Sequence, residues 1–385
     1  MTTRSNNWSV QTTSAQALGL IDQGTKSLVL PTYSATTYQR DADNQYTSGN
    51  VYSRDDNPTY KPVEALLTEL EEGAESLLFS SGMAAAVAVF QALKPGDHVI
   101  APKVMYWSLR NWLLGFAREW GLLVELVDTT DLKAVEAAIQ PQQTRLIWLE
   151  TPGNPLWTVS DIEAIVSLAK ADNILLAVDS TCATPVLSKP LTLGADIVMH
   201  SATKYLNGHS DVIAGALVTK RQDDFWQRIR SLRKHGGAVL SPQDATQLLR
   251  GMRTLFIRVR ESSNNALWLA QQLQQLPQVK RVWYPGLTDF PGHEIACRQM
   301  PGGFGGMLSI QVEGGEQAAI TTAAETQLWK RATSLGGVES LIEHRASVEG
   351  AGSPVPDDLL RLSTGIESAE DLLADLKSAL EYAHH

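Results

Sequence analysis

One lysine in this chain has neighbours suited to covalent chemistry. Lys204 lies between Thr203 and Tyr205, just past His200 and Ser201, which close the apolar run Ile197-Val198-Met199. That run has the length and flanks of a buried strand. An amine at the carboxyl end of such a strand is drawn out of water, which lowers its pKa and lets it form a Schiff base with a carbonyl. The hydroxyls of Ser201 and Thr203 can donate hydrogen bonds to a phosphate beside it. A carbonyl and a phosphate on one small molecule suggest pyridoxal phosphate (PLP). The competing reading is a surface lysine after a strand, and so short a string cannot separate the two.

Other groups with chemical potential fall at corresponding places. Leu146-Ile147-Trp148-Leu149 reads as a strand ending in Glu150, and Ile174 to Val178 as a strand ending in Asp179, then Ser180, Thr181 and Cys182. Asp179 has two readings, a carboxylate for chemistry and a helix cap. Ser80-Ser81-Gly82 joins the strand Leu77-Leu78-Phe79 to a helix over Met83 to Phe90. Small residues there leave backbone N–H groups free at the positive end of the helix dipole, where phosphate binds; an ordinary serine cap is the alternative. Tyr106 follows the strand His98 to Ala101 and opens the helical run Met105 to Leu113. It can stack on a flat ring or serve as a core aromatic. Arg361 sits in the alternating run Leu360 to Glu367. Facing inward it needs an anion, either a substrate carboxylate or a structural partner.

The elements that must position these groups alternate strand and helix from about residue 75. A largely parallel sheet follows, with its ligand crevice at the strand carboxyl ends, where Glu150, Asp179 and Lys204 converge. Residues 1–60 are polar and irregular, with Tyr33, Tyr38, Tyr46 and Tyr52, and are expected to form an arm lying on its own domain or a neighbouring subunit. Asn57-Pro58-Thr59 reads as a helix start before Val63 to Leu67. Residues 61–250 form the expected large domain and 251–385 a smaller α/β domain. One long helix from Pro242 to Leu273 spans the boundary, strands run from Val279 to Tyr284 and Met307 to Val312, and the last helix covers Ala369 to Tyr382. Gly302-Gly303-Phe304-Gly305-Gly306 lacks the following helix and acidic residue of a nucleotide loop and reads as a turn.

With 385 residues, 43% apolar and 19% charged, the composition is that of a folded enzyme rather than a disordered chain. A net charge of −10 argues against nucleic acid or an anionic membrane as partner. Cys182 and Cys297, far apart, suggest neither a disulfide framework nor a structural zinc site. The opening residues lack a signal-like apolar run, and no apolar stretch is long enough to span a bilayer, so a cytoplasmic location is expected.

Taken together, the strings YSRDDNPT, SSGMAA, ETPGNP, VDST-CATP, HSATKYLNGHSDV, LLRGMRTL, SLGGVESL and LRLSTGIE, in that order over nearly the whole chain, closely resemble the PLP enzymes of cysteine and methionine metabolism. These are the cystathionine γ-synthases, cystathionine γ- and β-lyases and methionine γ-lyases. The resemblance implies fold-type I architecture, with Lys204 holding PLP as an internal aldimine and Asp179 paired with the pyridine nitrogen. It further implies that Tyr106 stacks on the ring and serves with Lys204 in proton transfer. Ser81, Gly82, Met83, Thr181, Ser201 and Thr203 would complete the cofactor site. Tyr52 and Arg54 would reach the phosphate from a neighbouring subunit, in an assembly of at least a dimer and usually a tetramer. Arg361 would bind the substrate α-carboxylate with Asn154 and Ser334, and Thr333 would line the distal pocket.

The chain departs from the family pattern where substrate is chosen. Thr333 stands where members acting on cystathionine at the γ position carry Glu, Trp107 and Ser108 where two glycines are common, and Ala346 to Gly350 where many read T-M-T-H. The expected activity is cleavage of the C–S bond of a sulfur amino acid, γ-elimination favoured over β. The alternative is a γ-replacement synthase joining a thiol to an activated homoserine. An aminotransferase, or a binding protein without turnover, would share the fold.

Overall fold

The computed structural model describes residues 8–350 and 353–385; residues 1–7, the opening of the expected polar arm, lie outside them. Seven strands form the larger sheet: β1 (Glu75–Phe79), β2 (His98–Pro102), β3 (Leu123–Val127), β4 (Thr144–Glu150), β5 (Leu175–Asp179), β6 (Ile197–His200) and β7 (Gly215–Thr219). They lie in the order β1-β7-β6-β5-β4-β2-β3, all parallel except β7, which runs against both its neighbours. The central strands are apolar on both faces because helices cover both. Leu146 and Trp148 pack to one side with Phe90 and Ala177, while Ile147 and Leu149 pack to the other with Ile165 and Val178. This alternation is the strand period of two made visible, and it leaves Glu150 and Asp179 as paired neighbours at one edge.

A second sheet takes β8 (Val279–Trp283), β9 (Met307–Val312), β10 (Lys330–Arg331), β11 (Leu341–His344) and β12 (Leu359–Ser363), in the order β10-β11-β12-β9-β8. It is antiparallel apart from the β10–β11 pair. The largest apolar cluster joins the two sheets' helices, taking in Leu66, Met252, Val259 and Leu269 together with Ile310, Leu362 and Leu376.

The long helix expected from Pro242 to Leu273 is two helices, Pro242–Met252 and Leu255–Leu273. Thr254 leaves helical geometry at φ −109°, ψ 7°. The Gly251 carbonyl accepts from the Thr254 amide and hydroxyl, each at 3.1 Å, and from Arg258 Nη2 at 2.7 Å, while Arg258 Nη1 reaches the Tyr205 carbonyl at 2.8 Å. A Cβ at Gly251 would stand 2.3 Å from the Asn207 carbonyl oxygen, so the break seats this helix directly on the loop after Lys204. The polar arm carries a short helix, Val10–Ala15, that its composition did not announce. The expected helix beyond Tyr106 continues as a wider-wound turn over Leu113–Ala117.

Candidate active site

Three adjacent strands deliver the central groups. β4 ends at Glu150, β5 at Asp179, and β6 runs through His200 into the turn that carries Lys204, closed by Lys204 N donating to the Ser201 carbonyl at 3.0 Å. Lys204 Nζ donates to Ser334 Oγ at 2.7 Å. Burial, then the nearby Arg361 cation, brings its pKa down to about 8, so the neutral, nucleophilic amine is well populated near neutral pH.

Ser334 is held at φ +92°, in the region that favours glycine. A non-glycine residue persists there only where its surroundings over-determine it. Here its hydroxyl accepts from Lys204 and its carbonyl accepts from Arg361 Nη2 at 2.9 Å. Thr333 beside it is exposed and brings no charge. Arg361 Nη1 also donates to Asn154 Oδ1 at 3.3 Å, so Lys204, Ser334, Arg361 and Asn154 form one connected group. Arg361 in addition meets Glu343 at 2.6 Å, a partner absent from the sequence reading. β11 and β12 pair Glu343 directly opposite Arg361, a register that no local pattern announces. Burial lowers Arg361 to about 10, with Glu343 acting against that shift.

Asp179 Oδ1 accepts from the Thr181 amide at 3.0 Å and the Thr181 hydroxyl at 2.5 Å; Thr181 Oγ1 in turn accepts from Ser201 N at 2.8 Å. Burial pushes the Asp179 pKa up and the Thr181 hydrogen bonds oppose it. Glu150 is pushed up as well, by burial and then by the Asp179 charge. Its two oxygens accept from Tyr106 N at 2.7 Å and Asn154 N at 2.8 Å. Noted in the sequence only as a strand-end carboxylate, Glu150 thus ties the chain at Tyr106 to the chain at Asn154. Beneath Asp179, His200 Nε2 meets Glu71 Oε1 at 2.6 Å in a wholly buried pair, another contact not foreseen.

Ser81 caps the Gly82–Gln91 helix, its Oγ accepting from Ala84 N at 3.0 Å. The Gly82 and Met83 amides, ahead of that bond, have no partner among the described residues. A Cβ on Gly82 would fall 2.7 Å from Ser201 Oγ, so only glycine lets the helix end close on Ser201. Amides at a helix N-terminus beside a serine hydroxyl suit a phosphate. Thr203 Oγ1 is engaged differently from expectation, donating to the Ala214 carbonyl at 3.1 Å and accepting from Ala214 N at 3.0 Å. Tyr106 has its side chain exposed at the mouth. Tyr52 and Arg54 are exposed too, with the guanidinium 5.4 Å from the tyrosine ring, and neither bonds to the Lys204 group. Among the described residues no cluster of metal-ligating side chains occurs, and no helix is long and apolar enough to cross a membrane.

A strand-end lysine of lowered pKa, a carboxylate on the neighbouring strand and a helix N-terminus shaped for phosphate define a fold-type I PLP enzyme; the residues present fit that cofactor. The chain belongs to the family described as Cys/Met metabolism PLP-dependent enzymes, whose model matches residues 11–381. Among its relatives, the cystathionine gamma-synthase of Mycobacterium tuberculosis is 46% identical over 365 residues, 93% of each chain. The cystathionine gamma-lyase of Bacillus subtilis is 41% identical over 368 residues, 94% of this chain and 96% of the lyase. A solved structure of the Xanthomonas oryzae cystathionine gamma synthase in complex with cystathionine superimposes with a TM-score of 0.93 at 37% identity, covering 98% of this chain and 99% of that one. The protein is therefore a PLP-dependent enzyme of a family that holds both synthases and lyases.

Proposed function

We propose that this enzyme works at the γ carbon of a sulfur amino acid, cleaving its C–S bond by elimination. The observation that carries the reading is the Lys204–Ser334–Arg361–Asn154 group, which places an amine of lowered pKa beside an arginine whose Nη1 makes only a long 3.3 Å contact to Asn154. Arg361 Nη1 and Asn154 bind the substrate carboxylate, with Ser334 holding both cations in place. PLP, when bound, is the sink for the electron pair left on the α carbon when its proton is removed. Lys204 Nζ would take that proton, pass it to the cofactor's conjugated system and, neutral again, take one from the β carbon, which lets the γ substituent depart; Tyr106 Oη would protonate the leaving sulfur. Asp179 would pair with the ring nitrogen of the bound cofactor and hold it protonated. The Gly82 and Met83 amides with Ser81 and Ser201 would hold the phosphate, while Thr181 orients Asp179 and Thr203 braces the Lys204 turn through Ala214.

Thr333 is neutral, so it offers no counter-charge to a distal ammonium, and a methionine-type substrate suits it better than cystathionine. A second reading, γ-replacement on an activated homoserine, is favoured by the 46% identity to the Mycobacterium tuberculosis synthase. The exposed Tyr52 and Arg54 complete a neighbouring subunit's site in a cytoplasmic homotetramer whose chains divide into an arm (1–60), a cofactor domain (61–250) and a small domain (251–385). The deciding experiment offers the purified holoenzyme cystathionine, methionine, and an O-acylhomoserine with cysteine, and identifies products by mass. 2-Oxobutyrate from methionine supports elimination, a thioether alone supports replacement, and neither product from any substrate refutes both.

A further inference from the structure

Arg361 stands at one end of a line of four buried side chains of alternating sign. Glu343 Oε2 lies 2.6 Å from Arg361 Nη2 and 2.8 Å from Arg345 Nη1, and Arg345 Nη2 lies 2.7 Å from Glu349 Oε1. All four are more than nine-tenths buried. Glu343 is carried by β11, opposite Arg361, while Arg345 and Glu349 begin and end the short helix that follows. The other oxygen of Glu349 accepts from Ser353 Oγ at 2.6 Å, so the far end of the line is anchored.

The arrangement answers a difficulty in the site. A guanidinium closed one-to-one with a carboxylate is neutral from outside and attracts a further anion weakly. Here Glu343 is shared between two guanidinium groups. Both acceptors on Arg361 Nη2, Glu343 and the Ser334 carbonyl, lie on one side and fix the rotation of the fork. Its Nη1 faces only Asn154 at 3.3 Å, a long contact that an incoming carboxylate can displace. Arg345 and Glu343 also act on the Arg361 charge in opposite senses, the first disfavouring and the second favouring it.

We propose that Glu343 and Arg345 are positioning residues for substrate carboxylate binding: Glu343 sets the orientation of Arg361, and Arg345 shares the Glu343 charge so that Arg361 remains an anion site. This rests on the reading of Arg361 as the carboxylate-binding residue. The test measures binding of glycine and of glycinamide, which keeps the amine and lacks the carboxylate, to the holoenzyme through the cofactor absorption band. Arg345→Met is expected to weaken glycine about tenfold while moving glycinamide less than about twofold. Glu343→Gln keeps the hydrogen-bond acceptor and removes its charge, so glycine binds at least as tightly as to the unaltered protein. The double variant Glu343→Gln/Arg345→Met removes one charge of each sign and returns glycine affinity to within about threefold of the starting value. Arg345→Lys retains most of it.

A merely structural cluster would behave otherwise. Equal weakening of both ligands by Arg345→Met, or a double variant worse than either single one, overturns the proposal. Should Arg345→Met fail to fold, Glu349→Gln leaves the guanidinium in place and is expected to tighten glycine about threefold; unchanged or weaker binding overturns the proposal. If the unaltered protein binds glycine no better than glycinamide, and Arg361→Met changes neither, the role of Arg361 falls and the proposal falls with it. Failure confined to the Glu343, Arg345 and Glu349 variants leaves the Arg361 reading standing.

Discussion

Replacing Arg361 by Met is expected to raise the Lys204 pKa, and the structure sets the size of the change. Both side chains bond to Ser334, Lys204 Nζ to its hydroxyl at 2.7 Å and Arg361 Nη2 to its carbonyl at 2.9 Å. Two cations so placed are about 7 Å apart, and at an effective dielectric near ~20 their repulsion is about 2 kcal/mol. Glu343, 2.6 Å from Arg361, offsets part of that field. Taking the offset as roughly half leaves about 1 kcal/mol, a little under one pH unit. Burial is the larger cause of the lowered pKa and survives the substitution. The lysine is therefore expected to move up from about 8 without regaining the ordinary lysine value of 10.5. The substitution leaves Glu343 bonded to Arg345 at 2.8 Å, so no bare carboxylate is created to confuse the result. The assay is competitive acetylation of the cofactor-free protein across pH, with the Lys204 peptide quantified by mass spectrometry. A labelling midpoint that stays put or falls would falsify the electrostatic account of the site, because removing a nearby cation can only favour the protonated amine.

Three further outcomes are expected. Lys204→Ala should abolish borohydride labelling at this position and lower turnover by at least about a hundredfold, the scale of a lost general base; label retained on another lysine would relocate the site. Gly82→Ala should weaken cofactor retention about tenfold or more in equilibrium dialysis, because the new methyl would sit 2.7 Å from Ser201 Oγ and force the helix end off its seat. Unaltered retention would mean that this helix end does not hold the phosphate. Glu71→Ala should cost about 1–3 kcal/mol in denaturant unfolding, since it leaves the buried His200 Nε2, 2.6 Å from Glu71 Oε1, without its hydrogen-bond partner; a loss below about 0.5 kcal/mol would show that this bond contributes little to stability.

The parts of this molecule that were legible in its sequence are those in which local pattern and final environment coincide. Short apolar runs ending in Glu150, Asp179 and His200, four residues ahead of Lys204, mark strands buried on both faces, and a parallel sheet then has no choice but to bring such ends to one edge. The helix break at Thr254 was not legible, because its cause is an arginine reaching from Arg258 to the carbonyls of Gly251 and Tyr205, the latter well removed in the chain. Glu343 was illegible for the same kind of reason: only the pairing of β11 with β12 tells Arg361 which carboxylate it faces. The difference bears on specificity. Residues that handle a cofactor common to the family sit on strand ends that local pattern reveals, whereas the charges that tune Arg361 reach it through long-range pairing. On the proposal above, affinity for the substrate carboxylate can thus change through Arg345 or Glu349 while the pattern that announces the cofactor stays the same.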